Sequence, residues 1–468
     1  MNRVNIHISD ILVSRRMDVT YHKDNRGISN FVPLSRYVDI KGGKRIPKGM
    51  SFSSERTNYL YLRLSDIADF ENINYDNLKC ISEDLYNKLK RYEIKKDQIV
   101  FSIAGTIGRV FLLKNIPEGK HIILTENCAM LLPKNSDVLP NYVSILLNCS
   151  FVQKQIEQNR IQTTIPKIGL DRISKIQIPV MPPLSVQQKV IRVYQNAIRT
   201  KIQKEFEAKQ LLNGIDKYLL KTLYIDENIN REENKQPLTK KISTIIGQRL
   251  DVSFYTDKFE MVSTKYANEK LVSLVNIDPT IRFNNYDADM PISFVPMECI
   301  DEAYGMISET RETTISQTKG YTRFEENDLL WAKITPCMQN GKSAIARHLK
   351  NGLGCGSTEY YVMRPKSNNT LIDYIYIVLR HKRLLKAAQS SFGGSAGQQR
   401  VSSQYLRSIM VPHPDFSIQK EIVDTVYNMK YKAKQLQKEG NALLEEAKQK
   451  IEKMIIGYNY GKVRRNNI

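Results

Sequence analysis

The chain has 468 residues, of which 41% are hydrophobic and 25% charged, the balance of a soluble globular protein too long for a single core. Its net charge of +21 points to a polyanionic partner, with nucleic acid ahead of a membrane surface because no basic amphipathic helix with an aromatic face stands out. No apolar run approaches the roughly 20 residues of a membrane span, and the first thirty residues carry charges throughout with no apolar signal core. The expectation is a cytoplasmic protein without a membrane partner, its six cysteines (Cys80, Cys128, Cys149, Cys299, Cys337, Cys355) free thiols because none stands in Cys-x-x-Cys spacing.

In chain order, residues 1–183 read as a mixed α/β domain, with strand-like segments at 98–103, 122–125 and 129–132 and a helical one at 142–156. Its loops are basic and glycine-rich. The run Lys41-Gly42-Gly43-Lys44-Arg45-Ile46-Pro47-Lys48-Gly49 leads through Arg56 to Arg63, and Gly105-Thr106-Ile107-Gly108-Arg109 follows a strand. Glycine lets the backbone approach phosphates, and Lys and Arg neutralise them. This first domain holds 27 Lys and Arg against 18 Asp and Glu, whereas residues 225–416 hold 24 against 22.

Residues 184–224 predict a long helix whose apolar stripe runs Val186, Val190, Tyr194, Ile198, Ile202, Phe206, then Leu211, Ile215, Leu219 and Leu223. A strand-like run into prolines precedes it, and Ser185 is placed to cap it. Residues 225–416 predict a second α/β domain, with a strand at 359–363 and a helix at 371–388. Its candidate binding residues are Lys333, Lys342, Arg347 and the run ending Gln398-Gln399-Arg400, where Arg can read guanine and Gln adenine by paired hydrogen bonds. Residues 417–457 predict a second helix, capped by Ser417. Its seam of Val426, Met429, Ala433, Leu436, Gly440, Leu443, Ala447, Ile451 and Met454 alternates steps of four and three, the spacing of a coiled coil. A basic tail, 458–468, closes the chain.

The organisation is a repeat of about 233 residues. Thr125-Glu126 returns as Thr358-Glu359, Ile173 as Leu406 and Pro179 as Pro412. After a one-residue slip, Ser185-Val186-Gln187-Gln188-Lys189 returns as Ser417-Ile418-Gln419-Lys420-Glu421. A globule, helix, globule, helix order can build two similar heads on an antiparallel helical spacer, suited to two separated half-sites on duplex DNA. The plainer alternatives are that each helix packs only on its own head and that each basic loop is solvated surface. Motifs for intrinsic chemistry fall short. Gly341-Lys342-Ser343 lacks the earlier glycine of a phosphate loop, Pro336 standing there, and the glycines at 352–356 lead into a strand rather than a helix. The six histidines show no metal-ligand spacing, and Glu-x-Lys at 207–209 and 446–448 falls on helices, against a stand-alone nuclease.

On the Ala104-Gly105-Thr106-Ile107-Gly108 loop, the segment from Ile334-Thr335-Pro336 to Asn340-Gly341-Lys342, Gly356-Ser357-Thr358-Glu359, and the two proline-to-helix junctions with Gln187 and Gln419, the chain resembles the specificity (S) subunit of type I restriction-modification systems over nearly its full length. It departs where the family's first glycine loop often carries Thr-Pro and this chain has Lys44-Arg45-Ile46-Pro47. The resemblance implies two target-recognition domains, each reading half of an asymmetric gapped DNA sequence, and two helices forming an antiparallel spacer that docks two modification (methyltransferase) subunits. It implies a non-catalytic chain that binds no cofactor. Modification partners would use S-adenosylmethionine to methylate adenine, and restriction (helicase-nuclease) subunits would use ATP and Mg. A stand-alone DNA-binding regulator, or a coiled-coil scaffold without enzymatic partners, is the alternative.

Overall fold

The structure, a computed structural model, describes residues 31–67, 73–161, 166–226, 259–393 and 399–466. The chain divides into two compact units, residues 1–203 with 439–468 and residues 204–438, so each long helix gives its first part to one unit and the rest to the other.

In the first unit, Val38–Gly42, Cys128–Pro133, Ile99–Ser102 and Val110–Leu112 form an antiparallel sheet in that order. A second sheet holds Lys79–Cys80, Tyr59–Leu62, His121–Leu124 and Glu93–Ile94, with the middle pair parallel. The run Ile99-Val100-Phe101 is apolar at every position because both faces of its strand are covered. Ile99 and Phe101 pack with Tyr142, Val143 and Leu146 of the helix Pro140–Leu147, whereas Val100 packs with Leu60, Leu62 and Ile122 of the second sheet. Helices, sheet and sheet are thus stacked as three layers.

The second unit repeats the plan strand for strand. Val275–Ile277, Tyr360–Pro365, Leu329–Ala332 and Ser343–Ile345 make the antiparallel sheet. Arg311–Thr314, Pro291–Val295, Leu353–Gly356 and Thr322–Glu325 make the other, again with a parallel middle pair. Leu329 and Trp331 face the helical layer, and Leu330 faces Val295 and Phe324. Each head is closed by a short antiparallel pair at its junction with a long helix, Phe31–Pro33 with Gln177–Pro179 and Asn268–Lys270 with Met410–Pro412. The helices expected at 142–156 and 371–388 are each broken in two, as Pro140–Leu147 with Ser150–Asn159 and Ile372–Leu379 with Lys382–Gln389. At the breaks, Asn148 donates to the carbonyl of Val110, and Arg380 to that of Gly341.

The duplication also corrects the expected register. Cys128 N–H donates to Thr125 O as Tyr360 N–H does to Ser357 O, so Thr125-Glu126-Asn127 superposes on Ser357-Thr358-Glu359. The two Thr-Glu pairs occupy the same turn one position apart.

The long helices are Leu184–Thr222 and Phe416–Asn466, the latter running past the expected end at 457. They start one residue before Ser185 and Ser417, which lie inside the first turn; the first carbonyls are those of Pro183, accepting from Val186 and Gln187, and Asp415, accepting from Ile418 and Gln419. One side chain then ties each helix to its head. Fully buried Gln187 accepts from Leu139 N–H (2.9 Å) and donates to the carbonyls of Asp137 (2.7 Å) and Pro182 (2.8 Å). Gln419, equally buried, accepts from Leu371 N–H (3.0 Å) and donates to Asn369 (3.0 Å) and Pro414 (2.9 Å). A primary amide, one acceptor beside two donors, matches this set as no carboxylate can.

Within each unit the two helices pack antiparallel. In the first, Val190 and Ile191 share a core with Ile451 and Ile455, and Gly440 lies against Lys201. In the second, Ala208 clusters with Ala433, Leu211 and Leu436, and Gly214 lies against Met429. Small residues at these levels let the helices approach closely. The seam departs from the expected heptads. Leu444 is buried at 8% exposure and Leu443 lies at 39%, while Ile202 (50%) and Phe206 (56%) face solvent. A straight helix of 3.6 residues per turn drifts off a 3.5-residue repeat, and the step from Gly440 to Leu444 absorbs that drift.

Candidate nucleic-acid interface

In both heads the loops flagged by the sequence converge where the parallel-paired strand turns into the central antiparallel one. In the first head this turn is Thr125-Glu126-Asn127. The chain leaving Val38–Gly42 is pinned to it, Gly43 N–H donating to Cys128 O and Lys44 N–H to Leu124 O. Gly43 is required there, since a Cβ would sit 2.0 Å from the Thr125 carbonyl oxygen. The 105–108 loop arrives at the same place: Ile103 and Ala104 N–H donate to Asn127 O, and Ser102 Oγ closes the loop by donating to Thr106 O (2.5 Å) and accepting from Arg109 N–H (2.8 Å). Gly108 holds a φ of +81°, which a side chain would strain.

Glu126 sits at the centre. It accepts from Arg45 Nε (2.6 Å) and Thr125 Oγ1 (2.9 Å), and the hydroxyl of Tyr61, whose shorter contact is to Lys44 O (2.8 Å), lies 3.2 Å from it. Burial opposes its ionisation, yet hydrogen bonds from Arg45, its own backbone and Thr125, with the guanidinium charge, hold its carboxyl below the ordinary range. Burial pushes the Tyr61 phenol up to about 12, so it stays a donor. Around this centre, Lys41, Lys44, Lys48 and Thr106 are exposed. Arg63 is engaged by Asp66 through Nε (3.0 Å) and a terminal nitrogen (2.6 Å) and lies 5.8 Å from the Phe52 ring. Arg109 donates to Ile67 O (3.3 Å).

In the second head Lys333 N–H donates to Glu359 O, Thr335 N–H to Gln399 O, and Val401 N–H to Lys333 O, gathering three segments at the equivalent turn. Arg400 grips Glu359 with Nε (2.9 Å) and a terminal nitrogen (2.7 Å), which, ahead of a burial penalty, lowers the carboxyl's pKa. The Lys333 ammonium lies 5.1 Å from the Tyr361 ring, and that of Lys342 donates to Met297 O (3.1 Å). Gln398 lies outside the described residues.

Arg347 lies apart from this cluster. Antiparallel pairing of Leu329 with Ile345 carries it to the far end of the sheet from Lys333. There it donates to both oxygens of Asp373 (2.7 and 2.8 Å), beside Tyr427 of the second long helix. It joins head to helix and does not belong to the loop cluster. The residues that sequence reasoning missed are the two glutamates as holders of arginine; the recurring Thr-Glu pair, read as a landmark of the repeat, was the available signal.

Among the described residues no helix is long and apolar enough to cross a membrane. The family model for the type I restriction modification DNA specificity domain matches residues 30–213 and again 279–446. The chain is 33% identical over 186 residues to the type I restriction enzyme EcoEI specificity subunit of Escherichia coli and 32% identical over 186 residues to the EcoAI specificity subunit of the same organism. Each match takes in 40% of this chain and spans 31% of the curated relative's length. Among solved structures, the S subunit of a type I restriction-modification system from M. genitalium aligns over 92% of this chain and 97% of its own at 13% identity and a TM-score of 0.42. A chain from work on complex assembly and conformational transition of the type I R-M system aligns over the same shares at 12% identity and a TM-score of 0.49. With both copies of the repeat matched, the chain belongs to the family of type I restriction modification DNA specificity domains.

Proposed function

We propose that this chain is the non-catalytic, sequence-specific DNA-recognition subunit of a type I restriction-modification complex. Each head reads one half of an asymmetric gapped site on double-stranded DNA. The long helices set the gap and carry two modification (methyltransferase) subunits, which methylate adenine with S-adenosylmethionine, while restriction subunits use ATP and Mg. The observation that supports this most is the same fold built twice, each copy bringing glycine-rich and cationic loops to the equivalent strand turn. The loops at those turns differ, Arg45 from one side in the first head and Arg400 from the other in the second, which favours two different half-sites. The DNA contacts proposed are Lys41, Lys44, Arg45, Lys48, Arg63, Thr106 and Arg109 in the first head, and Lys333, Lys342, Gln398, Gln399 and Arg400 in the second. Deleting the gene and sequencing the methylome tests the reading: one bipartite methylated motif should vanish and return on complementation, and an unchanged methylome overturns it.

A further inference from the structure

The cations at the two turns differ in which of their nitrogens are used. Arg63 and Arg400 each spend Nε and a terminal nitrogen on one carboxylate. Arg45 is anchored to Glu126 through Nε alone, its side chain is 79% exposed, and its two terminal nitrogens make no hydrogen bond among the described residues. Its base is fixed as well. Lys44, one residue before it, is held by its N–H on Leu124 O and by its carbonyl accepting from Tyr61 (2.8 Å), which ties the backbone down beside Arg45. The result is a planar two-donor fork presented to solvent from a rigid support.

Such a fork fits either a phosphate or the O6 and N7 acceptors of guanine in the major groove. Charge separates the two. Arg45 and Glu126 form a pair of zero net charge, and a phosphate drawn to the fork would meet the Glu126 carboxylate behind it. A guanine edge is neutral and gives up nothing by that proximity. Beside the pair, the exposed Lys44 and Lys48 are free to take the backbone.

We infer that Arg45 reads a guanine in the half-site of the first head through its two terminal nitrogens, with Glu126 as its positioning residue. The inference rests on the DNA-recognition reading above and adds a base and a residue to it.

The test uses the full chain assembled with its modification partners, compared as wild type, Arg45→Lys, Arg45→Ala and Glu126→Ala, by methylome sequencing and by binding to duplexes of the mapped site. In wild type, replacing one guanine of one half-site should cost roughly 5- to 150-fold in affinity. A 7-deazaguanine there, which lacks the N7 acceptor, should also weaken binding. Arg45→Lys keeps the charge and loses the fork. It should accept any base at that position, ignore 7-deazaguanine, keep the salt dependence, and leave the other half-site intact. Glu126→Ala should relax the same position and no other. Uniform weakening across all sequences, with a shallower salt dependence in Arg45→Ala, would make Arg45 a phosphate contact and overturn the inference while leaving DNA recognition standing. Full retention of specificity in Arg45→Lys would overturn it too. A wild-type complex with no methylated motif would remove the underlying reading as well.

Discussion

The buried glutamine at the start of each long helix makes the most quantitative prediction. Gln419→Met keeps the length of the side chain and removes its amide, so little cavity is left and the cost comes from hydrogen bonding. Three bonds are lost, to Leu371 N–H, Asn369 O and Pro414 O. At about 1 kcal/mol each they amount to about 3 kcal/mol, and leaving buried groups unpaired raises the figure. Gln419→Glu should cost more at neutral pH, because an acceptor-only carboxylate would face two carbonyls. Since two units need not unfold together, native-state hydrogen exchange under increasing urea is the suitable assay. The Leu371 amide should lose protection in Gln419→Met, and the Leu139 amide in Gln187→Met, by similar amounts because the two bond sets match. A loss under about 1 kcal/mol with Leu371 exchange unchanged would refute the claim that this amide fastens the helix to the head.

Three further outcomes are expected. Leu444→Asp should cost about 3–5 kcal/mol as a buried unpaired charge, whereas Leu443→Asp, at an exposed position, should stay within about 0.5 kcal/mol, both read from thermal unfolding. Replacing Lys44 and Lys48 together with alanine should flatten the log-log salt dependence of DNA binding by about two, at roughly 0.9 per phosphate contact; an unchanged slope would take this loop off the DNA. His381 is buried against Phe259, and burial, with the charges of Arg383 and Lys382, pushes it down to about 4. The unfolded chain then binds the proton more readily, so stability is full above an ordinary histidine pKa near 6.5 and falls as pH drops toward 4, by roughly 3 kcal/mol. His381→Phe should flatten that dependence in urea titrations.

What was legible in the sequence was whatever repeats or has a period. The duplication, the long helices, and strands such as Ile99–Ser102 and Tyr360–Pro365 followed from spacing and from apolar runs. The seam was legible from Val426 to Gly440 and again at Ile451, but not at Leu444 and Ile455, because a strict heptad points to Leu443 and Met454 where a straight helix drifts off it. The cations were visible as residues but not as partners. Arg45 and Glu126 are 81 positions apart, Arg400 and Glu359 are 41, and Arg347 and Asp373 are 26, so only folding brings each pair together. Arg63 with Asp66, three apart, was within reach of the sequence. The Thr-Glu identity misled by one position because three residues bridge the strands in both turns, and it is the ladder, not the dipeptide, that sets the register.

The glutamine fastening has a consequence for how such chains change. Every partner of Gln187 and Gln419 is a main-chain atom, supplied by Leu139 and Pro182 in one copy and by Leu371 and Pro414 in the other, with Asp137 in the first standing where the second has Asn369. The socket therefore inspects the path of the backbone, which the proline shared by both copies helps to fix. A foreign head grafted at the proline segment, by recombination or by design, needs only the same turn to seat correctly. The loops at its strand turns, separate from this joint, can vary without disturbing the fit. The two halves of this chain already stand in that relation, one attachment serving two different surfaces.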